Sequence, residues 1–165
     1  MDMHRVLRDP WVWGQALLIL AVVAGIPALQ RGAGGPVADW LTPSSISVRL
    51  PGLFPIVLGM TLALWGATSL GPNLTPATQP GERAVLVQTG PYRLVRHPVY
   101  LGVTLILAGT GWLYANPAIG ALVGVVALLF FGEKAAVEER WMRSRFPEYA
   151  EYASRVPRLL PRLWR

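Results

Sequence analysis

Arg93, Arg96 and His97 lie within five residues of one another in GPYRLVRHPVYLG, residues 90–102. About forty residues later come two adjacent carboxylates, Glu138 and Glu139, in VEERWMRSRFPEYAEYASRVPRLLP. Arginine grips a carboxylate through two parallel N–H bonds. Histidine carries or releases a proton near neutral pH. A carboxylate can take an ammonium group or sugar hydroxyls, and the tyrosines offer flat faces. If the chain brings the two clusters together, they can hold a zwitterionic ligand. Each cluster also has a plainer reading. The cations could mark a membrane edge. The glutamates could form i,i+4 pairs, Lys134 with Glu138 and Glu139 with Arg143. Phe146, Tyr149 and Tyr152, at three-residue steps, could be an interfacial anchor.

The positioning elements are helices of a membrane protein. The 165 residues are 53% hydrophobic and 15% charged, against about a quarter charged in soluble domains. There is no cysteine, which excludes disulfides, thiolate metal sites and a cysteine nucleophile. The spacing and composition predict an all-α integral membrane protein with about four transmembrane helices, 11–29, 53–70, 99–115 and 117–137. The first apolar run is longer than a signal-peptide core and no A-x-A site follows closely, so an uncleaved anchor is expected. With the N-terminus inside, 13 of the 15 basic residues are cytoplasmic: Arg5 and Arg8, then Arg83, Arg93 and Arg96, then Lys134 and seven arginines of the tail. Only Arg31 and Arg49 fall outside. The positive-inside rule therefore places both termini in the cytoplasm. It also accounts for the net charge of +6 without nucleic acid. Trp11, Trp13, Trp112 and Tyr114 fall at expected interfaces.

Local signals refine this. The 71–98 loop, with Gly71, Pro72, Pro76, Pro80, Gly81, Gly90 and Pro91, demands defined turns; AVLVQTG within it could form a short strand or an extended segment. Pro98 suits the first turn of the third helix, which sets Arg96 and His97 at an anion-attracting helix N-terminus. Asn116-Pro117 reads as the cap and first turn of the fourth helix, making the last two a tight hairpin. That helix is expected to run on to about Arg145, with Glu133 and Lys134 at the cytoplasmic interface. Gly59, Ala63 and Ala67, and Gly120 with Gly124, suit close helix packing. The loop 30–52 shows no chemistry. The chain is expected to be one membrane domain, 1–165, with a two-helix part, 1–70, and a core, 71–165, that ends in an amphipathic helix.

NLTP, TGPYRLVRHPVYLG and VEERWMRSRFPEYAEYASRVPRLLP together resemble the isoprenylcysteine carboxyl methyltransferase family, part of a wider group of integral membrane methyltransferases that includes phospholipid N-methyltransferases. The resemblance covers about residues 70–162. It implies S-adenosyl-L-methionine as methyl donor and no metal. By motif match it assigns the cofactor site to Tyr92, Arg96, His97, Pro98, Tyr100, Gly102, Glu138 and Glu139, with Arg96, His97 and Glu138 at the chemistry. Three positions after the E-E pair, where the family usually has leucine, this chain has Met142. The implied acceptor is lipophilic and reached from the bilayer, with an isoprenylcysteine-like carboxylate favoured; a phospholipid or small lipophilic amine or thiol is the alternative. Arginine supplies 14 of the 15 basic residues, a bias of GC-rich genomes that points to a prokaryote, and with the positive-inside orientation the expectation is an inner-membrane protein whose site faces the cytoplasm. A non-catalytic membrane subunit, or an anion transporter built from an oligomer, stays open on residues alone.

Overall fold

The computed structural model describes residues 3–42, 45–79 and 84–161. Pro80, Gly81, Arg83, Arg162 and Arg165, and the side chain of Arg5, lie outside what it describes. Proline and glycine punctuate the chain, and most helices begin at or beside one. They are α1 (Met3–Arg8), α2 (Pro10–Leu20), α3 (Ile26–Gly32), α4 (Pro36–Leu41), α5 (Ile46–Arg49), α6 (Leu53–Leu70), α7 (Pro98–Tyr114), α8 (Pro117–Arg145) and α9 (Tyr149–Arg155). Asp9 caps α2 by accepting from the Trp11 N–H at 2.9 Å. Between α2 and α3 the helix widens into a π-turn, Ala21–Gly25. Pro27 is the reason: inside a helix it lacks an N–H and its ring crowds the preceding turn, and a wider turn absorbs the mismatch.

Three stretches are long and apolar enough to cross a membrane, Pro10–Gly32, Ile46–Asn73 and Pro117–Arg145. The apolar helix α7 is shorter, at 17 residues. Their outer faces carry exposed apolar side chains such as Leu17, Phe54 and Leu129, as lipid contact requires. No strand occurs among the described residues; 84–88, read as a short strand or an extended segment, has no regular secondary structure. The 30–52 region holds the short helices α4 and α5, tied back to the bundle by Arg49 Nε to the Leu113 carbonyl at 3.0 Å.

Helix α7 is the centre. It packs on α6 along one side and on α8 along the other. The seam with α6 is made of glycine. A Cβ on Gly59 would lie 2.5 Å from the Gly102 carbonyl oxygen, and one on Gly109 2.6 Å from the Gly52 oxygen. Gly52, Gly59 and Gly66 therefore repeat every seven residues along the contact, the spacing of a left-handed crossing. Gly59 and Ala63 of the expected four-residue stripe do face α7, but the seam follows the heptad. On the other side Gly120 meets Trp112 and Ala108, and Gly124 meets Ala108. Val22, Ile26, Leu107, Ala127 and Phe131 fill the space between the N-terminal helix, α7 and α8.

Lys134 departs from the sequence expectation. It is fully buried, while Glu133 is exposed. The helical step of about 100° per residue separates the two faces, and only Lys134 turns inward. Tyr149 and Tyr152 are also buried, so this face of α9 packs on protein and is not an interfacial anchor. Because side chains at the α6–α7 seam would meet backbone, Gly59→Leu and Gly102→Leu should each destabilise the bundle by at least roughly 1–3 kcal/mol. Detergent unfolding midpoints measure this, with Gly34→Leu, at an open glycine, as the unaffected control.

Candidate active site

The antiparallel run of α6, α7 and α8 gathers the end of α6, the start of α7 and the polar end of α8. Gly90 begins the approach. Its φ of +60° suits glycine, and a Cβ there would press on Ser69 Oγ at 3.0 Å. The 3₁₀ turn Gly90–Arg93 follows, then Arg96 and His97 directly before Pro98.

Arg96 meets Glu139, as the opposed clusters suggest. Its Nε and Nη2 donate to Glu139 Oε1 at 3.0 and 2.8 Å. Its Nη1 donates to the carbonyls of Ala153, at 2.8 Å, and Val156. These contacts occupy four of the five N–H groups, so Arg96 is a structural tie and not the free carboxylate clamp expected from the sequence. Arg158, which sequence reasoning missed, takes the rest of the carboxylate: Nε to Oε1 at 3.0 Å and Nη2 to Oε2 at 3.1 Å. Glu139 thus pairs with Arg96 and Arg158 rather than with Arg143. Backbone bonds run alongside, Arg96 N–H to Pro157 O and His97 N–H to Arg158 O. They bind the tail to the start of α7. Tyr152 adds its hydroxyl, donating to the Tyr92 carbonyl at 2.7 Å.

Glu138, one residue on, turns the other way. Its Oε1 accepts from the Tyr100 hydroxyl, and its Oε2 lies 3.5 Å from His97 Nδ1. The His97 ring stacks on Tyr100 at 5.4 Å and Tyr100 on Phe131 at 5.0 Å. His97 Nε2 is buried and has no hydrogen-bond partner; it lies 3.4 Å from Glu139 Oε1, whose lone pairs the two arginines engage. Lys134 sits behind, its Nζ 5.1 Å from the Tyr100 ring centre. It donates to Gln15 Oε1 and to the Pro76 carbonyl, both at 2.8 Å, and not to Glu138 as an i,i+4 pair.

These groups edge a cavity of about 350 Å³, within the range of small-molecule sites. Tyr92, Arg96, His97, Tyr100 and Glu138 line it, together with Met142, Tyr149 and Tyr152. Three residues assigned by motif do not. Glu139 lies behind Arg96, Pro98 packs against Gly66, and Gly102 is in the α6–α7 seam. The loop Asn73–Thr78, the extended stretch Ala84–Val87 and Gln15 complete the wall. Asp9 holds the loop from outside: its Oδ2 accepts from the Thr78 N–H at 2.6 Å and the Thr78 hydroxyl at 2.8 Å. The Asp9-Pro10 pair signals a helix cap, and Gln15 is the one amide in an apolar run; nothing local marks Arg158.

Charge follows geometry. Burial raises the Asp9 pKa, but the bonds from Thr78 and Trp11 outweigh it and hold the carboxyl below its ordinary value. Burial pushes Tyr152 up to about 12 and raises Tyr92 and Tyr149 as well, so these rings stay neutral. The hydrogen bond to Glu139 raises the pKa of Arg158.

Residues 48–149 match the family model for phospholipid methyltransferase. The chain belongs to the phospholipid methyltransferase family. The match spans the α6–α7 seam, the Arg96–Glu139 pair and Glu138. It leaves Asp9, Gln15 and Arg158 outside. Among similar proteins, protein-S-isoprenylcysteine O-methyltransferase B of Arabidopsis thaliana is 34% identical over 113 residues, 67% of this chain and 57% of that one. The human protein-S-isoprenylcysteine O-methyltransferase is 32% identical over 69% of this chain and 41% of its own length. A cobalt-zinc-cadmium resistance protein of Cupriavidus metallidurans is 31% identical over 75% of this chain and 52% of its own. The chain thus spans about half the length of the curated relatives it matches.

Two outcomes follow from the buried ties. Glu139→Ala leaves Arg96 and Arg158 without their anion and should cost about 3–5 kcal/mol, read as a lowered unfolding midpoint in detergent. Asp9 stabilises the loop while ionised. Its folded pKa is lowered, so that contribution is present above about pH 4 and is lost as pH falls through the folded value. Asp9→Asn should flatten this acid limb in a pH series of unfolding midpoints.

Proposed function

We propose that this protein is an integral membrane methyltransferase that uses S-adenosyl-L-methionine and methylates a lipophilic acceptor, with an isoprenylcysteine-like carboxylate favoured. The observation that carries the reading is the cavity at the α7 start, lined by Glu138, His97, Tyr92, Tyr149 and Tyr152. The fit to the donor is chemical. His97 lines the cavity beside Glu138, with its Nδ1 3.5 Å from Glu138 Oε2 and its Nε2 turned toward Glu139. The Glu138 carboxylate suits an ammonium or a ribose diol. The neutral tyrosines of the wall suit a purine ring, although the Tyr149 ring already has Arg143 at 5.8 Å.

When bound, the cofactor supplies a methyl group on a cationic sulfur, open to in-line displacement with the C–S electron pair leaving to sulfur. The protein's part is alignment and exclusion of water. Holding two reactants in line is worth roughly 7–11 kcal/mol. Glu138 and His97 orient the donor's polar arms, while Tyr100, stacked between His97 and Phe131, keeps Glu138 in place. Arg96, Glu139 and Arg158 act through position, by fixing the backbone that presents His97. A carboxylate acceptor arrives ionised and needs no base. The match to phospholipid methyltransferases supports a second reading, an amine acceptor, for which His97 would take the released proton.

The reading includes four crossings, with α7 as the fourth, both ends in the cytoplasm and the cavity mouth on that side. The excess of arginine in the cytoplasmic segments supports this orientation. The wider expectations of a prokaryotic inner membrane and a single domain, with 71–165 as the catalytic core, belong to the same proposal.

Calorimetry on the detergent-solubilised protein with S-adenosylhomocysteine tests the cofactor. Binding is expected; none at millimolar ligand would overturn the reading. Glu138→Gln should weaken it about tenfold or more, the worth of a hydrogen bond to a charged group. Methyl-labelled donor with lipid extract, followed by mass spectrometry, separates ester from amine products.

A further inference from the structure

The N-terminal helix reaches the cavity through one polar side chain. Gln15 is the only amide or ionisable residue between Pro10 and Leu29, in a stretch otherwise suited to lipid. A polar side chain within a membrane-spanning stretch is costly and marks function. Gln15 lines the cavity and is half-buried. Its Oε1 accepts from Lys134 Nζ at 2.8 Å. An ammonium has donors and no acceptor, so it settles which end of the amide faces it. The oxygen turns toward Lys134 and the NH2 is left over. No bond from that NH2 to a described residue is found among the hydrogen bonds of the chain.

Lys134 is itself held. It is fully buried, bonded to the Pro76 carbonyl, and set beside the Tyr100 ring. Three elements, α2, α8 and the loop before Ala77, therefore fix one amide. Lys134 lies one helical turn before Glu138 on α8, deeper in the bundle. The Gln15 NH2 is a neutral donor on the α2 wall of the cavity, whereas Glu138 and His97 belong to the α7–α8 wall. Gln15 also falls outside the matched range 48–149.

We propose that Gln15 is an acceptor-recognition residue, its NH2 donating to a carbonyl or carboxylate oxygen of the lipophilic methyl acceptor, and that Lys134 is the positioning residue that orients it. This rests on the methyltransferase reading for the word acceptor, but not for the binding event. A neutral donor suits an acid and its methyl ester alike, so it receives the substrate without gripping the product through charge. The alternative is that Gln15 merely satisfies Lys134.

Gln15→Glu separates the two. It keeps an oxygen against Lys134 and removes the N–H. The probe is the uncharged methyl ester of N-acetyl-S-farnesylcysteine, so that the added negative charge does not repel it. Its binding to the full chain in detergent is followed by calorimetry, beside S-adenosylhomocysteine. Gln15→Glu should bind the ester about three- to tenfold more weakly, the worth of one neutral hydrogen bond, with S-adenosylhomocysteine affinity and unfolding midpoint unchanged. Lys134→Met, which frees the amide to turn, should weaken the ester similarly. Equal ester affinity in wild type and Gln15→Glu overturns the inference. So does a wild type that binds S-adenosylhomocysteine but not the ester, which leaves the methyltransferase reading standing. A wild type that binds the ester but not S-adenosylhomocysteine fails that reading instead.

Discussion

One buried carboxylate holds the site end of this molecule together. Glu139 receives Arg96 from the start of α7 and Arg158 from the tail after α9. Removing a charge from water is expensive, and only close, well-aligned partners repay it. Here the repayment comes from two guanidinium groups, one of them held by further bonds. Arg96 spends its remaining donors on the Ala153 and Val156 carbonyls. The tail thereby becomes part of the wall, and Tyr149 and Tyr152 are carried into the cavity. The neighbouring Glu138 is left with Tyr100 and His97 as its close polar neighbours, so it has capacity to meet a ligand.

That division of labour depends on the glycine seam. Within lipid, helices gain little from hiding apolar surface, so close van der Waals contact does the work. Gly59 and Gly102 let α6 and α7 touch along their backbones. This brings Leu70, at the end of α6, to the cavity wall beside Val99 of α7. The N-terminal helix joins differently. Its fit rests on the apolar cluster around Val22 and Phe131, and on two polar ties to the loop and α8, from Asp9 to Thr78 and from Lys134 to Gln15 and Pro76.

Much of the framework was legible. Apolar runs marked the long helices, and proline marked the starts of α7 and α8, because a residue without an N–H is best placed where that donor has no partner. The pairing of an Arg-His cluster with a Glu-Glu pair was legible too, since a tight hairpin returns the chain to the same end. What each member does was less so. Arg96 read as a ligand clamp and is a tie. Gly102 read as a cofactor residue and is a packing contact. Lys134 read as interfacial and is buried. In each case the residue type fits both roles, and the choice depends on partners far away in the chain.

The sequence by itself determined the medium, the helices and the end of the bundle where polar groups meet. These follow from local composition, spacing and the cost of charge in lipid, which act residue by residue. Only the tertiary structure decided which carboxylate is consumed and which is free, that Arg158 and Gln15 belong to the site, and which way an amide faces. Those outcomes turn on competition for a few lone pairs and N–H groups between segments 19 to 119 residues apart, from Arg158 with Glu139 to Gln15 with Lys134. Such competition is settled by distance and angle, which spacing along a chain does not carry.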